Sequence, residues 1–235
     1  MAAPRRGPVE ALTVARHGRG FDTVAAYTWL ARRDRRLGAW MKRLGPIAPD
    51  PRWRRSFDPV DALARAILYQ QLSGKAAATI VGRVEAAIAS DRLHADTLGR
   101  IDDAALRSCG VSGNKTLALR DLARREAAGE IPSLRRMAVL DPDAIVAALV
   151  PIRGIGRWTV EMMLMFQLGR PDVLPVDDLG IRKGAQRVDR SEAMPTPKAL
   201  VERGERWAPY RTYASFYLWR IADDATGAKV KRSQD

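Results

Sequence analysis

A chain of 235 residues with 40 Lys+Arg against 27 Asp+Glu carries a formal net charge of +13, and 46% of its residues are hydrophobic. That apolar content supports a buried core and excludes a wholly disordered chain, whereas the charge points to a polyanionic partner and says nothing of fold. One cysteine, Cys109, and two distant histidines, His17 and His94, leave no internal disulfide and no ligand set for a zinc or iron–sulfur centre; the histidines read as exposed or loop residues.

The first 55 residues hold 13 Lys+Arg and 4 Asp+Glu, so +9 of the +13 is concentrated there. Residues 1–20 read as a loose arm without the apolar run of a secretory leader. Residues 21–45, with Phe21, Val24, Tyr27, Trp29 and Leu30 ahead of ARRDRRLGAWMKRLG, read as one or two packed helices. The prolines of IAPDPRWRRS then break the regularity. No run of ~18 apolar residues occurs, so a soluble, cytoplasmic protein without a membrane partner is expected.

From Asp58 onward the periodicity is helical. Asp58 caps a helix with Pro59 first, Asp61 in its first turn and Leu63, Ile67 and Leu68 on its apolar face. A second follows Gly74, with Ala77, Ile80, Val81, Val84 and Ile88 at three- and four-residue spacing. Others are expected near 102–108, stopped by Gly110, and over 114–128, stopped by Gly129. Further starts lie at Asp141-Pro142 and at Thr196-Pro197, the latter helix ending near Trp207, and 211–223 is a last amphipathic helix. With strand alternation absent, the fold class is all-α: a basic arm and helical segment over 1–55, a helical core over 56–225 and a tail over 226–235.

The chemistry concentrates in LVPIRGIGRWTVEMMLMFQLGRPDVLPVDDLGIRKGAQRV, residues 149–188. An apolar helix ends at Arg153-Gly154-Ile155-Gly156 and another begins at once, a hairpin whose unpaired backbone N–H groups suit a phosphate. Gly154 and Gly156 allow close approach, and Thr159 adds a hydroxyl. Such turns are common, so the pattern gains weight only from the residues downstream of it. A loop with Gly169, Pro171 and Pro175 delivers Asp177 and Asp178 to a helix start, where capping alone accounts for at least one of them. Trp158 stands just past the hairpin, and Tyr213, Phe216, Tyr217 and Trp219 lie on the last helix; aromatics at such spacing are core residues more often than ligand platforms.

Joined to AILYQQLSGKAAATIVGRV (66–84), GVSGNKTLALRDLA (110–123) and ERWAPYRTYASFYLW (205–219), this span resembles the helix-hairpin-helix DNA glycosylases, and within them the 3-methyladenine DNA glycosylase II branch of alkylation repair. The resemblance covers residues 57–221 and leaves the first 55 largely outside. It implies two helical lobes with the active site in the cleft between them, acting on damaged double-stranded DNA by flipping a nucleotide out of the duplex. Asp178, three residues before Ile181, falls at the catalytic position. Trp158 stands where bifunctional members carry the lysine that forms a Schiff base, which implies a monofunctional enzyme. Trp219 matches an aromatic wall of the base pocket, which Trp158, Tyr69 and Met162 share, Met162 replacing an aromatic found in some relatives. Gln70 and Gln71 fall where the family fills the gap left by the flipped nucleotide, Gln71 being the favoured wedge, and Gly154, Gly156 and Thr159 fall in the DNA-gripping hairpin. Arg153 departs from the usual proline.

The resemblance further implies a monomer that needs no cofactor, a monovalent cation on the hairpin carbonyls being the one candidate. Lys115 stays open between a phosphate contact and an exposed helix start. The expected reaction is hydrolytic release of alkylated purines such as 3-methyladenine and 7-methylguanine. The alternatives are a glycosylase of this fold for another damaged or mismatched base, and a catalytically silent DNA-binding protein whose aspartates merely cap a helix. The basic first 55 residues then read as an added nonspecific grip on the duplex, removable without loss of base excision.

Overall fold

The computed structural model describes residues 19–224. Most of the arm expected over 1–20, the tail expected over 226–235, and His17 lie outside these residues. The described chain forms thirteen α-helices and, among the described residues, no strand. They are α1 (Thr23–Arg33), α2 (Arg35–Leu44), α3 (Pro59–Tyr69), α4 (Gly74–Ile88), α5 (Ala95–Leu98), α6 (Asp103–Ser108), α7 (Gly113–Ala127), α8 (Leu134–Val139), α9 (Pro142–Leu149), α10 (Arg157–Met162), α11 (Leu179–Asp189), α12 (Pro197–Gly204) and α13 (Arg211–Asp224). None is long and apolar enough to cross a membrane.

The expected starts have a visible cause. Asp58, Asp141 and Thr196 each accept a first-turn backbone N–H, from Val60 at 2.9 Å, Ala144 at 2.8 Å and Ala199 at 3.2 Å, with proline in the first turn each time. The short α5 and α8 hold too few turns to write a periodic pattern into the sequence. His94, expected to be exposed or in a loop, is buried at the start of α5; its ring nitrogens meet Glu126 at 2.5 Å and Asp58 at 3.2 Å.

Two cores organise the helices. The first gathers aliphatic side chains of α3 to α10, among them Leu63, Ile67, Val84, Leu119, Ile145 and Leu149. The second joins Ala26, Leu30, Leu37 and Met41 of α1 and α2 to Ile181, Trp207, Tyr213 and Tyr217 from α11 onward. From α1 to α13 the chain thus starts in one lobe, crosses to the other and returns. The division expected near residue 55 is therefore a boundary in charge and not in packing. Removing the first 55 residues would strip four fully buried side chains from the second core, so the expectation that excision survives their deletion does not hold for the described part of that segment.

Asp34 shows how tightly this segment is built in. It separates α1 from α2, accepts from the Arg36 and Leu37 N–H groups at 3.1 Å each, and receives the Trp207 indole N–H at 2.8 Å and the Arg203 guanidinium at 2.5 Å. Burial pushes its carboxyl up, but the Trp207 and Leu37 N–H groups and Arg203 together hold it below the ordinary carboxylate value.

Candidate active site

Asp178 is the N-cap of α11, with its Oδ1 accepting the Ile181 N–H at 2.9 Å, so the spacing to Ile181 is that of a helix cap. The same oxygen accepts the Trp219 indole N–H at 2.9 Å, and Oδ2 accepts the Trp158 indole N–H at 2.8 Å. Capping and catalysis, which the sequence left as rival explanations, therefore fall on one carboxylate whose orientation three N–H donors fix. Asp177 is exposed beside it and lines a different cavity. Gly180 makes the arrangement possible: a Cβ there would stand 2.8 Å from Trp219 Cδ1 and 3.1 Å from Asp178 Oδ1.

Trp158, on α10, borders a cavity of about 570 Å³. Tyr69, Gln70 and Gln71 at the end of α3 form one side, and Trp158, Thr159, Met162, Met163 and Phe166 another. Beyond Met162 the helix widens into a π-helical turn, Met163–Gln167, a form that recurs at functional sites. Phe166 on that turn stacks against Trp219 at 5.8 Å and 15° and against Phe216 at 5.3 Å and 23°. Phe216 and Trp219 pack against both cores, so the cavity and its carboxylate sit where the lobes meet.

The hairpin differs from expectation in its start. The first helix, α9, ends at Leu149, and seven residues, 150–156, make the connection. Buried Ile152 and Ile155 anchor it, and Asp121 accepts the Arg153 N–H at 2.8 Å. Gly154 takes φ +79°, a left-handed conformation that suits glycine, and a Cβ on it would stand 3.1 Å from that of Ala118. Gly156 caps α10 without a side-chain acceptor, which leaves first-turn N–H groups facing outward.

A family model described as HhH-GPD superfamily base excision DNA repair protein matches residues 64–209. The chain belongs to that superfamily. DNA-3-methyladenine glycosylase 1 of Schizosaccharomyces pombe is 35% identical over 195 residues, covering 81% of this chain and 86% of the relative. The crystal structure of a DNA-3-methyladenine glycosidase from Bacillus halodurans matches with a TM-score of 0.77 at 33% identity, over 86% of this chain and 91% of that one. The S. pombe 3-methyladenine DNA glycosylase in complex with abasic DNA matches at 0.71 and 34% identity, over 83% and 95%.

Within this HhH-GPD fold the residues singled out in the sequence converge, with shifts of role. Trp158, Tyr69 and Met162 line the cavity, whereas Trp219 is outside its lining and acts on Phe166 and Asp178 instead. Thr159, expected to reach a phosphate, is part of the cavity wall. The Gln70 amide donates to the Gly154 carbonyl at 2.8 Å and so ties α3 to the hairpin. Gln71 is exposed at the rim, with φ +58°, a left-handed conformation that is costly for a residue with a Cβ. Lys115, at the start of α7, is half-buried and not an exposed helix start. Its ammonium donates to the Leu68 and Gln70 carbonyls at 2.7 and 2.8 Å, closing the C-terminus of α3 beneath the Gln71 turn.

Sequence reasoning missed Phe166, Met163 and Arg52 in the cavity wall, and Gly180 beside Asp178. Phe166 had a signal, since Trp158, Met162 and Phe166 recur every four residues along one helix. Arg52 had none, because its segment comes from the other end of the chain.

Proposed function

We propose that the protein is a monofunctional DNA glycosylase that releases alkylated purines from double-stranded DNA by hydrolysing the N-glycosidic bond. The observation that carries this reading is the Asp178 carboxylate, held by three N–H donors where the two lobes meet, beside an aromatic cavity the size of a nucleobase site. The names of its relatives, and the abasic DNA bound by one of them, support the same class of substrate.

As the glycosidic bond lengthens, the deoxyribose gains oxocarbenium character, which a nearby carboxylate stabilises. A carboxylate has about four acceptor sites. Oδ1 uses two of them and Oδ2 one, which leaves an Oδ2 site to orient the attacking water. An alkylated purine already carries positive charge and departs without a general acid, consistent with a cavity that has no histidine among its described lining residues. Faces of Tyr69 and Trp158 favour such a cation by ~0.5–2 kcal/mol per good contact. The indole at position 158 forms no Schiff base, so the product is an intact abasic site.

DNA is gripped in this reading by the outward N–H groups after Gly156, with Gln71 filling the gap left by the flipped nucleotide. No cofactor takes part. A monovalent cation on the hairpin carbonyls is compatible with their bonding, because the Gly154 carbonyl accepts one hydrogen bond, from Gln70, and that of Ile152 one, from the Ile155 N–H at 3.0 Å, and each keeps a second lone pair. The carboxylate and cavity are complete within one chain, which supports a monomer as the acting form.

The test is release of methylated bases from alkylated duplex DNA by the wild type and by Asp178→Asn. The expected result is release by the wild type and a loss of about 10²–10³-fold in the variant, the size of one removed electrostatic stabiliser. Absence of release by the wild type overturns the reading. Equal release by the variant removes Asp178 from its role, and a covalent adduct trapped by borohydride contradicts the monofunctional mechanism.

A further inference from the structure

The base cavity has one cationic wall residue among the described ones, Arg52, and it comes from the N-terminal segment. Its guanidinium carbon lies 4.4 Å from the centroid of the Phe166 ring, the ring that also stacks on Trp219. The placement is built. Asp50 caps the turn Pro51–Arg54 and accepts from Arg52 Nε at 3.0 and 3.1 Å and from Nη2 at 2.6 Å. Next to it, the buried Trp53 donates its indole N–H to the Met165 carbonyl at 2.8 Å, inside the π-helical turn. Arg19 then clasps both strands of chain, donating to the Arg52 carbonyl at 2.6 Å and to the Gln167 carbonyl at 2.9 Å. No described residue accepts from Arg52 Nη1.

A guanidinium has donors only, and its planar fork reads acceptors in a fixed direction. A 6-oxopurine offers a carbonyl acceptor where a 6-aminopurine offers a donor, the distinction by which arginine reads guanine in duplex DNA. Asp50 offsets the charge of Arg52, so a cationic base is not repelled from the cavity. We propose that Arg52 is a specificity-determining residue, donating from Nη1 to the carbonyl oxygen of the extruded base and so favouring 6-oxopurine lesions, such as 7-methylguanine, over 6-aminopurine lesions such as 3-methyladenine. This rests on the glycosylase reading above and gives the N-terminal segment a part in choosing the substrate.

The experiment uses methylated duplex DNA, which holds both lesions, and measures 7-methylguanine and 3-methyladenine released in the same reaction. Their rate ratio is internal, so a partly folded variant still reports it. Arg52→Leu lowers the ratio of 7-methylguanine to 3-methyladenine release by roughly 10- to 100-fold, the worth of one hydrogen bond from a charged donor. Arg52→Lys, which keeps the charge and loses the fork, falls between the two. A ratio that stays at the wild-type value or rises overturns the proposal, and so does a variant that releases neither base, since Arg52 would then serve the reaction as a whole. Wild-type protein that releases neither base overturns the glycosylase reading itself, an outcome distinct from equal losses in an active variant.

Discussion

The two lobes are held together by different kinds of contact. The first core is aliphatic, and its fully buried members, such as Leu63, Ile67, Leu119 and Leu149, attract one another without preferred direction. The second core is aromatic and ionic. Tyr213 donates to the Ile47 carbonyl at 2.9 Å, Tyr217 to the Gly45 carbonyl at 2.8 Å, and Trp207 to the buried Asp34 that Arg203 also meets. Directional contacts fix position more closely than area does, and this is the lobe whose α11 and α13 must bring Asp178 and Trp219 to 2.9 Å. The first lobe supplies a wall and the Trp158 bond to that carboxylate. The difference is sharpest in the two buried carboxylates among the described residues, Asp34 and Glu161, which deviate from the ordinary carboxyl value in opposite directions.

The larger effect is expected at Asp34. Asp34→Asn keeps the volume and removes the charge, leaving Arg203 buried with only Asp189 to pair it; the cost is about 3–5 kcal/mol, as for other broken buried ion pairs. The pH dependence has a definite sign. With its folded-state value below the unfolded one, Asp34 contributes stability above the ordinary carboxylate range and loses it as pH falls toward the folded-state value. The variant should therefore unfold with a shallower acid limb in urea titrations. A leucine-to-methionine swap in the first core, Leu119→Met, should cost under ~1.5 kcal/mol. Equal costs at the two positions would erase the distinction between the lobes.

What could be read from the sequence divides along a related line. Helix starts were legible at Asp58, Asp141 and Thr196, because a cap and a following proline act within one turn of chain. Trp158, Tyr69, Met162, Gln70 and Gln71 were legible as neighbours of the site because they sit beside the hairpin or in the segment that resembles its partner. The part Trp219 plays was not, since its bond to Asp178 exists only once α11 and α13 have packed. Nor was Arg52, which reaches Phe166 because Trp53 finds a carbonyl in a π-helical turn that no periodicity announces. The concentration of charge before residue 55 suggested a detachable grip; the apolar residues between those arginines, Ala26, Leu30, Leu37 and Met41, are what tie the segment to the second core.

Glu161 offers the smaller test, with the opposite sign. It lies on α10 one turn beyond Trp158, against a cavity shared by Arg157, Asp143, Asp172, Asp177, Lys198 and Arg211. Burial raises its carboxyl to about 7, against the pull of Arg157 at 3.6 Å, and the negative charges of Asp177 and Asp178 add to the rise. The folded protein thus keeps a proton that the unfolded chain gives up at lower pH, so this group costs stability as pH climbs from the ordinary carboxylate range to about 7, and nothing further above it. Glu161→Gln supplies the neutral form permanently. It should gain about 1–3 kcal/mol over the wild type at pH 8 and nothing at pH 4, read as the difference between urea midpoints. A glutamine variant that loses stability at pH 8 would mean that the ion pair with Arg157 outweighs burial. The first lobe would then rest on a directional contact of the kind that distinguishes the second.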